Sequence, residues 1–481
     1  MSTKEKVLSN LIWRFAERIG AQAISFIVSI VLARILGPSE YGRVAMITVF
    51  TAILQVFVDG GFGNALIQKK DADDIDFSSV FYFNVLLCLV LYLIIFLCAP
   101  LIAELYCDDK LINLVKASGL IIVISGIKNV QQAYISRTLQ FKRFFYATLI
   151  GTIVSAIMGI LLACIGFGAW ALVVQNLTNA LVDTVVVWWI VKWRPKAVFS
   201  FSRLMSLFSY GWKLLLSNLI DVLYGNIRQL VIGKVYSPSD LAYYNRGRQI
   251  PNLVVTNVNT SIDSVLFPVL SMEQDNMEYE KRIAQKSIMI SNYIMAPIMM
   301  GIAAAGETLI KIILTEKWIS CVPFLRIFCI LYMFQPVHTA NINVIKALGR
   351  SDIRLKQEVI TKGVGIILLV AAIPYGTLMI AYAYLIGNFF NQIVNSWPNK
   401  KLINYSYLEQ LKDISISTLL AIFMGICLYG IAQINLPSII ILLIQTCVGA
   451  FIYIGGSIVL KIESFQYLLS MFNSRKFFQF K

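Results

Sequence analysis

The chain has 481 residues, 58% of them hydrophobic and only 14% charged. Soluble domains carry about 25% charged residues, so this balance excludes a soluble globular protein and describes a polytopic membrane protein. A net charge of +15 would suit a nucleic-acid binder, but the basic residues follow the alternation of loops, and too few aromatic residues stand among them for base stacking.

Apolar runs long enough for about 20 residues of helix across a ~30 Å hydrocarbon core fall near 11–36, 41–67, 78–103, 111–137, 144–165 and 168–191. A basic linker with Lys192, Arg194, Lys196 and Arg203 follows. Further runs fall near 206–233, 240–270, 284–308, 321–347, 356–375 and 378–397, with a last pair near 413–433 and 436–460. The expected fold is an all-α polytopic membrane protein with about 14 transmembrane helices. Alternate loops divide the basic residues: one set runs from Lys4 and Lys6 through Lys69, Lys70, Arg137 and Lys142 to Lys476 and Lys481, and the other holds Lys110, Lys234, Lys311 and Lys317. That asymmetry is expected to put both termini in the cytoplasm, with no cleaved leader and no extracytoplasmic domain. Cys88, Cys98, Cys164, Cys329, Cys427 and Cys447 lie in apolar runs and read as small core hydrophobes, while Cys107 and Cys321 fall near the outer surface, as a pair or as two thiols.

The chain also repeats itself. Trp13-Arg14 echoes Trp212-Lys213, Pro38-Ser39-Glu40 echoes Pro238-Ser239-Asp240, Asp59 echoes Asp263, and Asn84 echoes Asn292. Six spans per copy make the copies parallel, giving an N-lobe at 1–200, a C-lobe at 201–400 and a C-terminal helix pair with a basic tail at 401–481. Equivalent helices carry one-sided polar rows. The first span has Arg14, Arg18, Gln22, Ser25 and Ser29, and the second has Thr51, Gln55 and Asp59. The seventh has Lys213, Ser217, Asp221, Tyr224 and Arg228. The eighth has Arg248, Asn252, Thr256, Asn259 and Asp263, with Pro251 expected to break its ladder. Charges at membrane depth nearly always face a bundle interior, a partner or a wet path, so these faces suggest a cationic central cavity.

The run Ala33-Arg34-Ile35-Leu36-Gly37-Pro38-Ser39-Glu40-Tyr41-Gly42, the Asp59-Gly60-Gly61-Phe62-Gly63 turn, Ala242-Tyr243-Tyr244-Asn245-Arg246-Gly247-Arg248-Gln249 and Phe267-Pro268-Val269-Leu270-Ser271 resemble the WzxC-like branch of Wzx-type polysaccharide flippases, in the multidrug/oligosaccharidyl-lipid/polysaccharide exporter superfamily. The resemblance covers nearly the whole chain. It implies two six-helix lobes around a central cavity and two extra helices. The implied activity is movement of a polyprenyl-pyrophosphate-linked oligosaccharide, a precursor of O-antigen, capsule or exopolysaccharide, from the cytoplasmic to the periplasmic leaflet of a bacterial inner membrane by alternating access. It implies a transporter rather than an enzyme, with no catalytic residue, metal or cofactor, and with H⁺ or Na⁺ as coupling ion. The implied partners are the lipid-linked oligosaccharide, the bilayer, and the glycan polymerase and glycosyltransferases of the same pathway, with no nucleic acid.

Moving an unpaired hydroxyl into a hydrocarbon-like medium costs about 4–8 kcal/mol, so such a glycan needs a polar lumen. Its pyrophosphate suits the planar guanidinium fork. The expected substrate-binding residues are Arg14, Arg18, Arg43, Lys213, Arg228, Arg246 and Arg248, with Asn252 and Asn259 for sugar hydroxyls. Asp59, Asp221, Asp263 and His338 are coupling or charge-pair candidates. Lys213 is expected to pair with Asp263, and Arg14 or Arg18 with Asp59, and the lobes to rock about the linker at 192–205. Simpler readings stand beside these. Arg14 and Arg43 lie near helix ends, where they would snorkel to head groups, the aspartates would be structural partners of cations, and His338 would be a satisfied buried histidine. A multidrug or cation exporter of the same superfamily and a membrane-embedded glycan polymerase or ligase remain as rival functions.

Overall fold

The computed structural model describes residues 20–138, 140–272, 277–434 and 436–473, all of whose regular elements are helices. Arg14 and Arg18 lie outside the described residues. The chain divides into two compact units, Met1–Ala242 and Tyr243–Lys481. Among the described residues, 12 helices are long and apolar enough to cross a membrane. The other two expected spans are the shorter apolar helix α1, described over Gly20–Ile35, and α8 (Phe201–Val235), whose 35 residues include Lys213, Asp221, Arg228 and Lys234. The protein is thus an all-α polytopic membrane protein, as its composition predicts.

In the first unit, α1 is followed by α2 (Pro38–Asp59), α3 (Phe62–Gln68), α4 (Asp74–Tyr106), α5 (Leu111–Arg137), α6 (Phe141–Ile165), α7 (Ala169–Ile190) and α8. Pro38 stands in the first turn of α2, where a missing N–H costs nothing. The run expected as one span at 41–67 is two helices, because Gly61 takes the left-handed region at φ 76° and turns the chain between α2 and α3. The same turn lets α8 approach closely: a Cβ on Gly61 would stand 2.6 Å from Gly211 Cα. At the other end of α2, a Cβ on Gly42 would lie 1.8 Å from the Pro238 carbonyl oxygen, so only glycine fits there.

The basic linker is bonded to α4 and α5 of its own unit. Gln131 on α5 donates to the Trp193 carbonyl at 3.1 Å, the Lys196 N–H donates to Ser78 Oγ at 3.0 Å, and the Ser200 N–H donates to Ser79 Oγ at 2.9 Å. Trp193 is buried against Phe77 and Tyr134. Asp73 caps α4 and accepts from Arg203 at 2.6 Å, while Asp74 pairs with Lys196 at 2.6 Å. The Arg203 guanidinium and the Asp76 N–H hold the Asp73 carboxyl down at about 2. With the folded value depressed, this contribution is complete above the ordinary carboxylate range and is lost as pH falls from about 4 toward 2.

The second unit continues α9 (Pro238–Met272) and holds α10 (Met277–Ala304), α11 (Gly306–Ile313), α12 (Val322–Met333), α13 (Gln335–Ala347), α14 (Ser351–Ala372), α15 (Thr377–Ser396), α16 (Asn399–Leu402), α17 (Tyr407–Ile431), α18 (Ser438–Val459) and α19 (Glu463–Asn473). The span expected at 240–270 is the single helix α9, which runs on through Pro251. A proline removes one ladder bond, and flanking turns carry the helix past it. The run at 321–347 does break, at Phe334, just before Pro336. Polar pairs join the helices: Asn341 and Gln410 exchange amide bonds of 2.8 and 2.9 Å, and Tyr293 on α10 donates to Ser457 on α18 at 2.9 Å. The cysteines are free, including exposed Cys107 and buried Cys321.

The Gly42 contact sets a test. Gly42→Ala is expected to destabilise the purified protein by about 1–3 kcal/mol through overpacking, whereas Gly363→Ala, which meets nothing within 4 Å, is expected to be neutral or stabilising. Thermal unfolding in detergent compares them, and equal midpoints would refute the contact.

Candidate functional site

Each predicted residue is best judged by what its side chain touches within its own unit. On α2, Arg43 donates from Nε to Asp108 Oδ2 at 2.6 Å, a carboxylate in the loop between α4 and α5. Arg43 is therefore a paired cation rather than one free to snorkel. Asp59 ends α2 and is exposed; its Oδ1 accepts from Gln55 Nε2 at 3.3 Å and from Asn129 Nδ2, on α5, at 3.2 Å. On α8, Lys213, Ser217 and Asp221 are exposed. Arg228 is buried, with its guanidinium 5.3 Å from the Tyr224 ring centre.

In the second unit, Arg246 is buried, donates to Gln249 Oε1 and sits 5.3 Å from the Trp318 ring centre. Arg248, two residues on and so on another face of α9, donates from Nε to the Tyr332 hydroxyl at 2.9 Å. Arg246 thus lies against an amide oxygen and an aromatic face, and Arg248 against a neutral hydroxyl that accepts from it. Asn252 accepts from Thr256 through its backbone carbonyl, and the buried Asn259 Oδ1 has no hydrogen-bond partner. Asp263 is exposed, and its Oδ1 accepts from Asn343 Nδ2 at 2.7 Å. His338 Nδ1 lies 3.0 Å from Asn395 Nδ2. The amide nitrogen can only donate, so the neutral ring carries its proton on Nε2.

Sequence reasoning missed one pair altogether. Lys128 on α5 and Asp183 on α7 form an ion pair of 2.8 Å, with 17% and 10% of their side chains exposed. Two opposite charges inside apolar spans were the available signal, by the same rule that marked Asp59 and Asp263. The partners Asp108, Asn129, Tyr332 and Asn343 gave no such signal, because nothing local in sequence links them to the residues they hold.

Comparison with known proteins agrees with this architecture. The polysaccharide biosynthesis protein family matches residues 31–323. The teichuronic acid biosynthesis protein TuaB of Bacillus subtilis (strain 168) is 24% identical over 472 residues, covering 94% of this chain and 95% of that one. The lipopolysaccharide biosynthesis protein WzxC of Escherichia coli (strain K12) is 24% identical over 405 residues, covering 82% and 80%. Among solved structures, the lipid II flippase MurJ in an inward closed conformation has the same fold, with a TM-score of 0.75 at 16% identity over 94% of this chain and 98% of that one. The resemblance drawn from the motifs is thereby borne out.

The Lys128–Asp183 pair gives a stability prediction. Asp183 Oδ1 is buried without a hydrogen bond, so Lys128→Met should cost about 3–5 kcal/mol by stranding the carboxylate. The double change Lys128→Met, Asp183→Leu is expected to recover most of it. Unfolding midpoints of the four proteins check this; simple additivity would exclude the coupling.

Proposed function

We propose, from the premise that this chain belongs to the polysaccharide biosynthesis protein family, that it is a flippase carrying a polyprenyl-pyrophosphate-linked oligosaccharide from the cytoplasmic to the periplasmic leaflet of a bacterial inner membrane by alternating access. The observation that carries the reading is Arg248, a cation within an apolar helix whose Nε donates to the neutral Tyr332 hydroxyl at 2.9 Å, in a chain of this family. A drug or cation exporter would need acceptors for positive charge at these depths; a pyrophosphate needs the reverse. The names of TuaB, WzxC and MurJ point the same way.

Arg248 is the proposed phosphate-binding residue of the second unit, with Arg246 a further candidate there; in the first unit the candidates are Arg14, Arg18, Lys213 and Arg228, and Arg43 joins only where the anion displaces Asp108. Asn252 and Asn259 would serve sugar hydroxyls. Asp59, Asp221, Asp263 and His338 are the groups through which H⁺ or Na⁺ coupling would act. Both termini would face the cytoplasm, and the pathway's glycosyltransferases and polymerase would supply and consume the cargo.

Cells lacking the chain are expected to lose the surface glycan of their pathway and to accumulate its lipid-linked repeat unit. Arg248→Ala, which removes a charge-assisted contact of about 1.5–3 kcal/mol, is expected to lower export about tenfold to a hundredfold at equal protein level, and Arg248→Lys to restore part of it. Normal export in cells lacking the chain would overturn the function, and full export by Arg248→Ala would remove Arg248 from it.

A further inference from the structure

The first unit holds a small polar cavity at the end of α2, with no cation among its described lining residues. It measures about 270 Å³ and is lined by Asp59, Gly63, Ile67, Asn129, Gln132, Ala133 and Ser136. Asn129, Gln132 and Ser136 follow one another on α5 at spacings of three and four, and so share one face. Asp59 reaches them because α2 ends there, and Gly63 leaves room beside Asn129, where a Cβ would already stand 3.4 Å from Oδ1.

The chemistry of this wall is specific. Two amide donors fix Asp59 through one oxygen, and its Oδ2 has no hydrogen-bond partner among the described residues. Gln132 and Ser136 add groups that both donate and accept, while Ile67 and Ala133 add a small apolar surface. The adjacent Lys128 is committed to Asp183, and among the described residues no cation lines the cavity. An oriented carboxylate, an amide and a hydroxyl together with two aliphatic side chains suit the hydroxyls and C–H groups of a sugar ring. The same carboxylate repels phosphate. The volume falls just below the ~300 Å³ at the small end of ligand pockets, enough for one ring.

We infer that this cavity is a monosaccharide subsite selecting a neutral sugar residue of the cargo, with Asp59 as its acceptor and as the group that excludes anionic sugars. The inference rests on the proposed function, since it assigns one end of that cargo. It places sugar and pyrophosphate at separate positions, so that glycan composition is read at Asp59 and the linker is held by arginines elsewhere.

The test uses the full chain in lipid nanodiscs and saturation-transfer NMR with methyl hexosides, methyl glucuronide and inorganic pyrophosphate. A neutral methyl hexoside is expected to bind, and Gln132→Ala with Ser136→Ala to weaken it about tenfold, the equivalent of two modest hydrogen bonds. Asp59→Asn is expected to raise relative binding of the glucuronide. As a measurement independent of those variants' folding, thiol labelling of Ser136→Cys, with exposed Cys107, Cys164 and Cys447 replaced by Ser, should be slowed by the hexoside and not by pyrophosphate. Absence of hexoside binding, equal binding by the double variant, or labelling that only pyrophosphate protects would each overturn the subsite. Export in cells lacking the chain separates the two claims: lost export with no hexoside binding removes the subsite and leaves the function, while unchanged export removes the function itself.

Discussion

The price of a polar or charged group in hydrocarbon shapes every part of this protein. On insertion scales a charge at the centre of a membrane helix costs about 2.5–3.5 kcal/mol, and an unsatisfied polar group several. The chain answers in two ways. Structural polar groups are paired side chain to side chain, as in Lys128–Asp183 and Asn341–Gln410. The arginines of α8 and α9 instead lie against aromatic rings, a hydroxyl and an amide, contacts that fix their position.

Glycine supplies the second constraint. Close approach of α2 to α8 and to the start of α9 depends on Gly61 and Gly42, where an added Cβ would stand 2.5 and 1.8 Å from backbone oxygens, while Gly211 packs tightly against the same turn. These contacts lie at the two ends of α2, in the Leu36–Gly42 and Asp59–Gly63 motifs, so the residues that carry the family resemblance also set the first unit's geometry. The linker extends the same logic: Trp193 before α8 and the Asp73–Arg203 pair in the first turn of α8 fasten the chain to α4 and α5.

Much of the fold was legible in sequence because length and apolarity alone decide a membrane span. The departures have local causes: the left-handed Gly61 divides one predicted span, Phe334 before Pro336 divides another, and Pro251 proves tolerable inside α9. The polar rows marked residues at depth, but not what holds them. Arg43 and Asp108 are 65 residues apart, Asp59 and Asn129 are 70, and Arg248 and Tyr332 are 84. Periodicity describes one helix at a time, and such pairs exist only through packing. The cavity beside Asp59 was hidden for that reason, since α5 reads as an ordinary apolar span until α2 and α3 are laid against it.

The central claim is that this chain alone lets a pyrophosphate-linked glycan cross a bilayer. Its most direct test is purified protein in liposomes loaded with the lipid-linked repeat unit of its own pathway, with the fraction exposed on the outer leaflet followed by a membrane-impermeant glycosidase. The account requires that fraction to exceed the initial outer share in protein-containing vesicles and to stay at it in protein-free vesicles. An outer-leaflet fraction that is the same with and without the protein, with or without a proton or sodium gradient, would contradict it.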